Sequence, residues 1–185
     1  MEHRTLAVLE AGLEEIRRSP RDLGAIELIV RRPAVEEREV LEEATLDVVE
    51  GLVGDCWRSR GSKRTEDGSA HPDMQLTLMN ARVAALVAGH PDRRGLAGDQ
   101  LFVDLDLSYG NLPPGTQLEI GAALIEITDQ PHTGCGKFAR RFGADAQRFI
   151  NSAVGRELNL RGVNARVIAG GTVRVGDVLA KRPAS

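Results

Sequence analysis

The sequence predicts a mostly β protein, a small closed or partly open antiparallel β-barrel with peripheral helices. Three observations carry this. Short apolar runs recur between single glycines, of which the chain has 20, and tight turns between short strands use such residues. Several of these runs alternate apolar and polar side chains with a period of two. Helical spacing is confined to a few segments. Many short strands with little helix between them favour a barrel.

The elements follow in order. Leu6, Leu9, Leu13 and Ile16 recur at helical spacing, with Glu10, Glu14, Arg17 and Arg18 on other faces. This is an amphipathic helix ending near Ser19-Pro20. Residues 1–25 are therefore read as an appendage packed outside a domain of residues 26–185. Residues 26–30 read as a strand, stopped by Arg31-Arg32-Pro33. Residues 36–43 are strongly charged around Val40 and Leu41, which leaves both a half-wet strand and a helical turn open. Leu46, Val48, Val49 and Leu52 lead into Gly54-Asp55-Cys56-Trp57. Residues 59–72 have the polar, glycine-containing composition of a mobile loop. Residues 74–79 read as a strand and 81–88 as a short alanine-rich helix. Leu101, Val103, Leu105 and Leu107 alternate with Phe102, Asp104, Asp106 and Ser108. Pro113-Pro114-Gly115 turns the chain into strands at 118–120 and 123–128. Phe149, Ile150, Val154 and Leu158 give residues 145–158 helical spacing. Val163, Ala165, Val167 and Ala169 alternate as a strand, and Gly170-Gly171 turns it toward Val173-Arg174-Val175. Gly176-Asp177 then precedes Val178-Leu179.

Composition bounds the function. The chain has 185 residues, 42% of them hydrophobic, enough for one core. Aromatic residues are 3%, so that core is mostly aliphatic. A net charge of -3 and the lack of a long basic stripe argue against a nucleic-acid partner. Two cysteines cannot staple a disulfide scaffold. They suit a reducing compartment, so the cytoplasm is expected. The N-terminus has no apolar signal region, and no apolar run is long enough to span a bilayer. Cys56, His71, His90, His132 and Cys135 lack the paired spacing of a structural zinc site. No phosphate-binding loop, dinucleotide fingerprint or nucleophile elbow occurs.

The stretch with the clearest chemistry is Pro131-His132-Thr133-Gly134-Cys135-Gly136-Lys137-Phe138-Ala139-Arg140-Arg141. It sets one cysteine between two glycines, before a basic helical turn. Local positive charge and the start of a helix favour thiolate over thiol. The glycines allow close backbone approach and positive φ. Cys135 is thus a candidate reactive or ligand-binding sulfur; the alternative is a buried, inert thiol. Lys137 and Arg141 share a helix face and, with Arg140, are candidates to hold an anion, the alternative being a solvated basic face. Arg161 offers a planar fork for an anion, the alternative being a surface charge at the start of a strand. His132 is a candidate hydrogen-bonding or proton-donating group, the alternative being a structural or merely exposed histidine. Asp55 and Asp177 follow glycines, where aspartate commonly forms turns.

Several segments, in order, resemble the MOSC domain, named for the C-terminal domain of molybdenum cofactor sulfurases. They are Gly51-Leu52-Val53-Gly54-Asp55, Gln75-Leu76-Thr77-Leu78, Gly98-Asp99-Gln100-Leu101, the strands of 115–121 and 123–128, Cys135, and Arg161-Gly162-Val163 through Val167 with Gly176-Asp177. The resemblance runs from about residue 26 to 179, and the order of the segments makes it specific. It implies a β-rich barrel that binds the molybdenum cofactor (molybdopterin), with Cys135 as catalytic residue and sulfur ligand to the metal. The anionic pterin would be held by Lys137, Arg140, Arg141, Arg161, Asp99, Gln100, Asp55 and His132. It also implies an oxidoreductase acting on N-hydroxylated compounds, with a redox or sulfur-donor protein as partner. A metal-free carrier holding a persulfide on Cys135, and a non-catalytic cofactor- or anion-binding module, stay open beside it. The sequence departs from the family pattern in two places. Cys56-Trp57 stand where a histidine is common, and Asp99-Gln100 where Glu-Asn is usual. If the two loops meet, Cys56 is a candidate resolving thiol for Cys135.

Overall fold

The computed structural model describes residues 3–183; residues 1–2 and 184–185, the outer ends of the expected appendage and barrel domain, lie outside the described residues. The chain begins with α1 (Leu6–Ala11) and α2 (Leu13–Arg17), then β1 (Leu23–Arg31), β2 (Glu39–Leu41), β3 (Glu43–Asp47) and β4 (Gly51–Leu52). After α3 (Trp57–Arg60) come β5 (Leu76–Asn80), α4 (Ala81–Ala88) and β6 (Leu101–Asp104). β7 (Gln117–Ile120) and β8 (Ala123–Ile127) form a hairpin. α5 (Gly136–Phe142), α6 (Ala144–Ile150) and α7 (Ala153–Glu157) follow, and β9 (Val163–Ala169), β10 (Gly171–Arg174) and β11 (Val178–Lys181) complete the order.

Seven strands close into a barrel in the order β1, β6, β5, β9, β8, β7, β11 and back to β1. The expected barrel with peripheral helices is therefore present. Its neighbours pair antiparallel except β5 and β6, which run parallel. Parallel neighbours need a long crossover, and here α4 and a 3-10 segment at Pro91–Ala97 supply it. A three-stranded sheet of β10, β3 and β4 covers the barrel, adding Ala44, Leu46, Leu52 and Val173 to its core. The undecided residues 36–43 contain β2 and the start of β3; the polar 59–72 segment begins inside α3; and the helical 145–158 stretch divides into α6 and α7.

The period-two pattern sorts side chains between two cores. Leu101, Val103, Leu105 and Leu107 point into the barrel with Ile26, Ile29, Leu76 and Leu78. Phe102 and Met79 point outward, under Phe138, Phe142 and Phe149 of the helical layer. Each such side chain contributes about 1.5–3 kcal/mol on full burial. The N-terminal segment belongs to this outer core. Leu9 and Ile16 are buried there, and the Leu6 amide donates to Asp145 Oδ2 at 2.9 Å. One helix was expected; Gly12 divides it, and a Cβ at that position would lie 2.5 Å from Leu86 Cδ2. β1 starts at Leu23, so the expected division after residue 25 falls inside a strand.

Candidate functional site

After β8 the chain leaves the barrel for the helical layer, and residues 128–135 make this passage pinned at both ends. Thr128 donates from its amide to the Asn164 carbonyl (2.9 Å) and from Oγ1 to the Asp73 carbonyl (2.7 Å). Asn164 Nδ2 donates to the Gln130 carbonyl at 3.0 Å. At the far end Asn151 Oδ1 accepts from the Gly134 amide (3.0 Å), and its Nδ2 donates to the Gly134 carbonyl (3.1 Å). Gly134 packs closely here: a Cβ there would stand 2.5 Å from Ile150 Cδ1, so the Ile150 side chain would have to shift. Neither Gly134 nor Gly136 uses the positive φ that the sequence allowed.

Cys135 therefore arrives as the N-cap of α5, exposed. Burial on its inner side pushes the thiol up. The Phe138 and Lys137 amides and the Arg161 charge outweigh that, and the thiol sits below its ordinary value. No capping hydrogen bond forms on the sulfur, so those amides act as oriented dipoles. Cys135 lines a cleft of about 220 Å³ together with Arg32, Arg38, Arg60, Lys137, Arg141 and Arg161. Glu36, Cys56, Thr77, His132 and Asn164 also line it. The protein is net acidic, yet this wall is cationic.

The candidates from the sequence divide into two groups. Cys135, His132, Lys137, Arg141 and Arg161 line the cleft. Asp55, Asp99 and Gln100 do not; they are buried behind it. Arg140 is exposed and lies outside the lining. The buried acids hold cleft arginines in place. Asp55 accepts from Arg32 Nε (2.8 Å), Nη2 (2.7 Å) and its amide (3.0 Å). Asp99 accepts from Arg161 Nη1 at 2.8 and 2.6 Å. Gln100 takes the Thr77 amide (2.9 Å) and hydroxyl (2.6 Å) on Oε1 and donates to the Gln75 carbonyl at 3.1 Å. Asp177 accepts from the Arg174 amide, the turn role that glycine-aspartate suggested.

The cations near Cys135 are partly engaged. Arg161 also donates to the Ala97 carbonyl and stacks 5.3 Å over the Phe138 ring. Arg141 donates to the Leu96 carbonyl (2.9 Å) and pairs with Glu36. Lys137 Nζ pairs with Glu36 at 2.7 Å. Glu36 is held at about 2 by hydrogen bonds from Lys137 and Arg141. Arg38 and Arg60 form no ion pair with a described residue, and burial, then neighbouring arginine charge, pushes both guanidinium groups down. Burial, and next the Arg161 charge, lowers His132 to about 3, so it is neutral near pH 7. Its Nδ1 lies 3.6 Å from Asp99 Oδ1.

Buried polar atoms without a partner are costly and call for an explanation. Among the described residues they are Arg38 Nε, Arg161 Nε, His132 Nδ1, Asn164 Oδ1 and Arg94 Nε. All but Arg94 belong to residues that line this cleft. Two hydrogen-bonding functions of Arg161 are used internally, and Nε remains over. Such a set suits a polar, anionic molecule. Among the described residues no three His, Cys, Asp or Glu side chains group to hold a bare metal ion.

Sequence reasoning missed Arg38, Arg60 and Asn164 as lining residues and read Arg32 only as the end of a strand. The one sequence signal was the density of arginine in Arg31-Arg32 and Arg58 to Arg60, in a protein of negative net charge. Cys56 and Cys135 are both unpaired thiols and line the same cleft, Cys56 from its buried side.

The model of the MOSC domain matches residues 69–180, more than half of the chain, and the protein belongs to the MOSC domain family. The match includes Asp99, His132, Cys135 and Arg161. The wall built by Arg32, Glu36, Arg38, Cys56 and Arg60 lies before it. Solved structures share the fold. The YuaD protein from Bacillus subtilis is 15% identical, covering 88% of this chain and 97% of its own, with a TM-score of 0.66. YiiM from Escherichia coli is 21% identical over 87% of this chain and 71% of its own, with a TM-score of 0.56. YiiM from Geobacillus stearothermophilus is 16% identical over 86% and 75%, with a TM-score of 0.57. The search of curated proteins gives no match.

Proposed function

We propose that the cleft binds the molybdenum cofactor, an anionic pterin phosphate, and that the protein is an oxidoreductase with the Cys135 thiolate as its sulfur ligand to the metal. The observation that carries this reading is the convergence, beside an exposed and acidified thiol, of partnerless Arg38 Nε, Arg161 Nε and His132 Nδ1. The residues fit the group: a thiolate is a soft metal ligand, and a partly buried cationic wall offsets a phosphate. Arg38 and Arg60 add positive charge to that wall without an ion pair to a described residue, and neutral His132 has a ring nitrogen for a pterin heteroatom. When bound, the cofactor would supply the redox chemistry, and the chain supplies binding, orientation and electrostatics. By family resemblance the substrates are N-hydroxylated compounds, and a cytoplasmic redox protein delivers electrons.

The test is molybdenum and pterin quantification in protein purified from a cofactor-producing host. Wild type should retain both, and Cys135→Ser should lose the metal while keeping its fold. Folded wild-type protein that emerges free of molybdenum and pterin from such a host rejects the reading. The second reading, a carrier of persulfide on Cys135, draws on the exposed thiol and on Cys56 in the same cleft. Intact mass separates it: a persulfide adds one sulfur that reductant removes.

A further inference from the structure

The segment between β1 and β2 borders the cleft, with Ala34, Val35, Glu36 and Arg38 among its lining. Both ends of this segment are anchored. Arg32 is locked into the Asp55 carboxylate and donates from Nη1 to the Gly98 carbonyl at 2.9 Å. Arg31 and Glu39 pair at 2.7 Å across the two strands. Between the anchors, residues 33–37 are exposed and have no helix or strand.

Glu36 ties this tip to the opposite wall. Its carboxylate bridges Lys137 Nζ, at 2.7 Å, and Arg141 Nη2. It does so with φ at 70°, a left-handed conformation that is unfavourable for a residue with a Cβ. Like charges also stand close together here, because the positions of Arg38 Nη2 and Arg141 Nη1 both border Gly98. Glu36 offsets that repulsion. Arg141 stays oriented without Glu36, since its Nη1 is held by the Leu96 carbonyl. The cleft that this segment borders is about 220 Å³, below the ~300–1,000 Å³ usual for a ligand pocket.

We infer that Lys137 and Arg141 form an oxyanion subsite for a phosphate monoester, and that Glu36 fills this subsite in the free protein as an internal substitute. An incoming phosphate displaces the Glu36 carboxylate from both cations, and residues 33–37 swing out to enlarge the cleft. The inference rests on the reading that this cleft takes an anionic ligand. It adds which cations receive the phosphate and what they hold beforehand. A site open only part of the time shows an affinity reduced by its open fraction, so wild type binds phosphate more weakly than the bare subsite does.

The experiment titrates the full chain with inorganic phosphate and with phenyl phosphate at constant ionic strength, followed by calorimetry and by exchange of the Glu37 amide, which donates to the Ala34 carbonyl at 3.1 Å in the free protein. Glu36→Gln should bind both probes about tenfold more tightly than wild type. Phosphate should speed exchange of the Glu37 amide in wild type, and Lys137→Met with Arg141→Met should abolish binding. Equal affinity in wild type and Glu36→Gln, or binding that survives loss of Lys137 and Arg141, overturns the inference. The phosphate titration requires neither molybdenum nor pterin. A failure to find molybdenum therefore removes the cofactor reading without touching this result, and a failure here leaves the metal assay standing.

Discussion

Replacing Asp99 by alanine tests whether that residue acts through Arg161 from behind the cleft. Asp99 is fully buried and takes Arg161 Nη1 on both oxygens, at 2.8 and 2.6 Å. Arg161 is itself only 8% exposed. Without the carboxylate a guanidinium is left buried and uncompensated, a loss of about 3–5 kcal/mol. Arg161 keeps its bond to Ala97 and its stacking on Phe138, which favours the lower end, about 3 kcal/mol. At about 2–4 °C per kcal/mol for a domain of this size, the melting temperature should fall by about 6–12 °C. Urea unfolding of wild type, Asp99→Ala, Arg161→Met and the double variant gives the coupling. The double variant should recover part of the loss, because it buries neither charge. An Asp99→Ala cost below about 1 kcal/mol, or strictly additive single effects, refutes the account.

Three further outcomes are expected. Iodoacetamide should label Cys135 in the native protein and Cys56 only after unfolding, with a pH midpoint for Cys135 below the ~8.5 of a free thiol; Arg161→Met should raise that midpoint, and native labelling of both cysteines at equal rates counts against the arrangement. His132, at about 3 when folded, takes up a proton in the unfolded chain near pH 6.5. Its depressed value therefore contributes stability that is complete above about pH 6.5 and declines toward pH 3. Between pH 7 and 5 this amounts to about 2 kcal/mol, and His132→Gln should flatten the loss by that amount in urea titrations at the two pH values. Leu9→Ala should cost about 2–5 kcal/mol, because Leu9 is fully buried in the outer core; a change within 0.5 kcal/mol returns the N-terminal segment to the status of a loose appendage.

Much of the fold was legible because strand signals are local. The alternation at Leu101, Val103, Leu105 and Leu107 marks a barrel-facing side whatever the strand pairs with. The helix at Ala81–Ala88 occupies its expected residues. The parallel pairing of β5 and β6 was less legible, although a strand, a helix and a strand stood in the sequence in that order. The intervening 81–100 stretch holds one short helix with glycines around it, and glycine-bounded strands read as antiparallel turns.

By itself, the sequence determined the barrel and the placement of Cys135 at the start of a basic turn. Both depend on neighbours within one or two turns of chain: side-chain alternation for the strands, an N-cap before Lys137 and Phe138 for the thiol. Only the tertiary structure decided which charges face the cleft. Arg161 meets Asp99 across 62 residues, and Arg141 meets Glu36 across 105. Asp99 and Gln100 read as site-lining residues beside Cys135, yet the barrel buries them and turns Arg38, Arg60 and Cys56 inward instead. A charged side chain carries no local mark of its partner. Whether it is buried and paired, or left over for a ligand, follows from the desolvation it suffers where distant strands bring it.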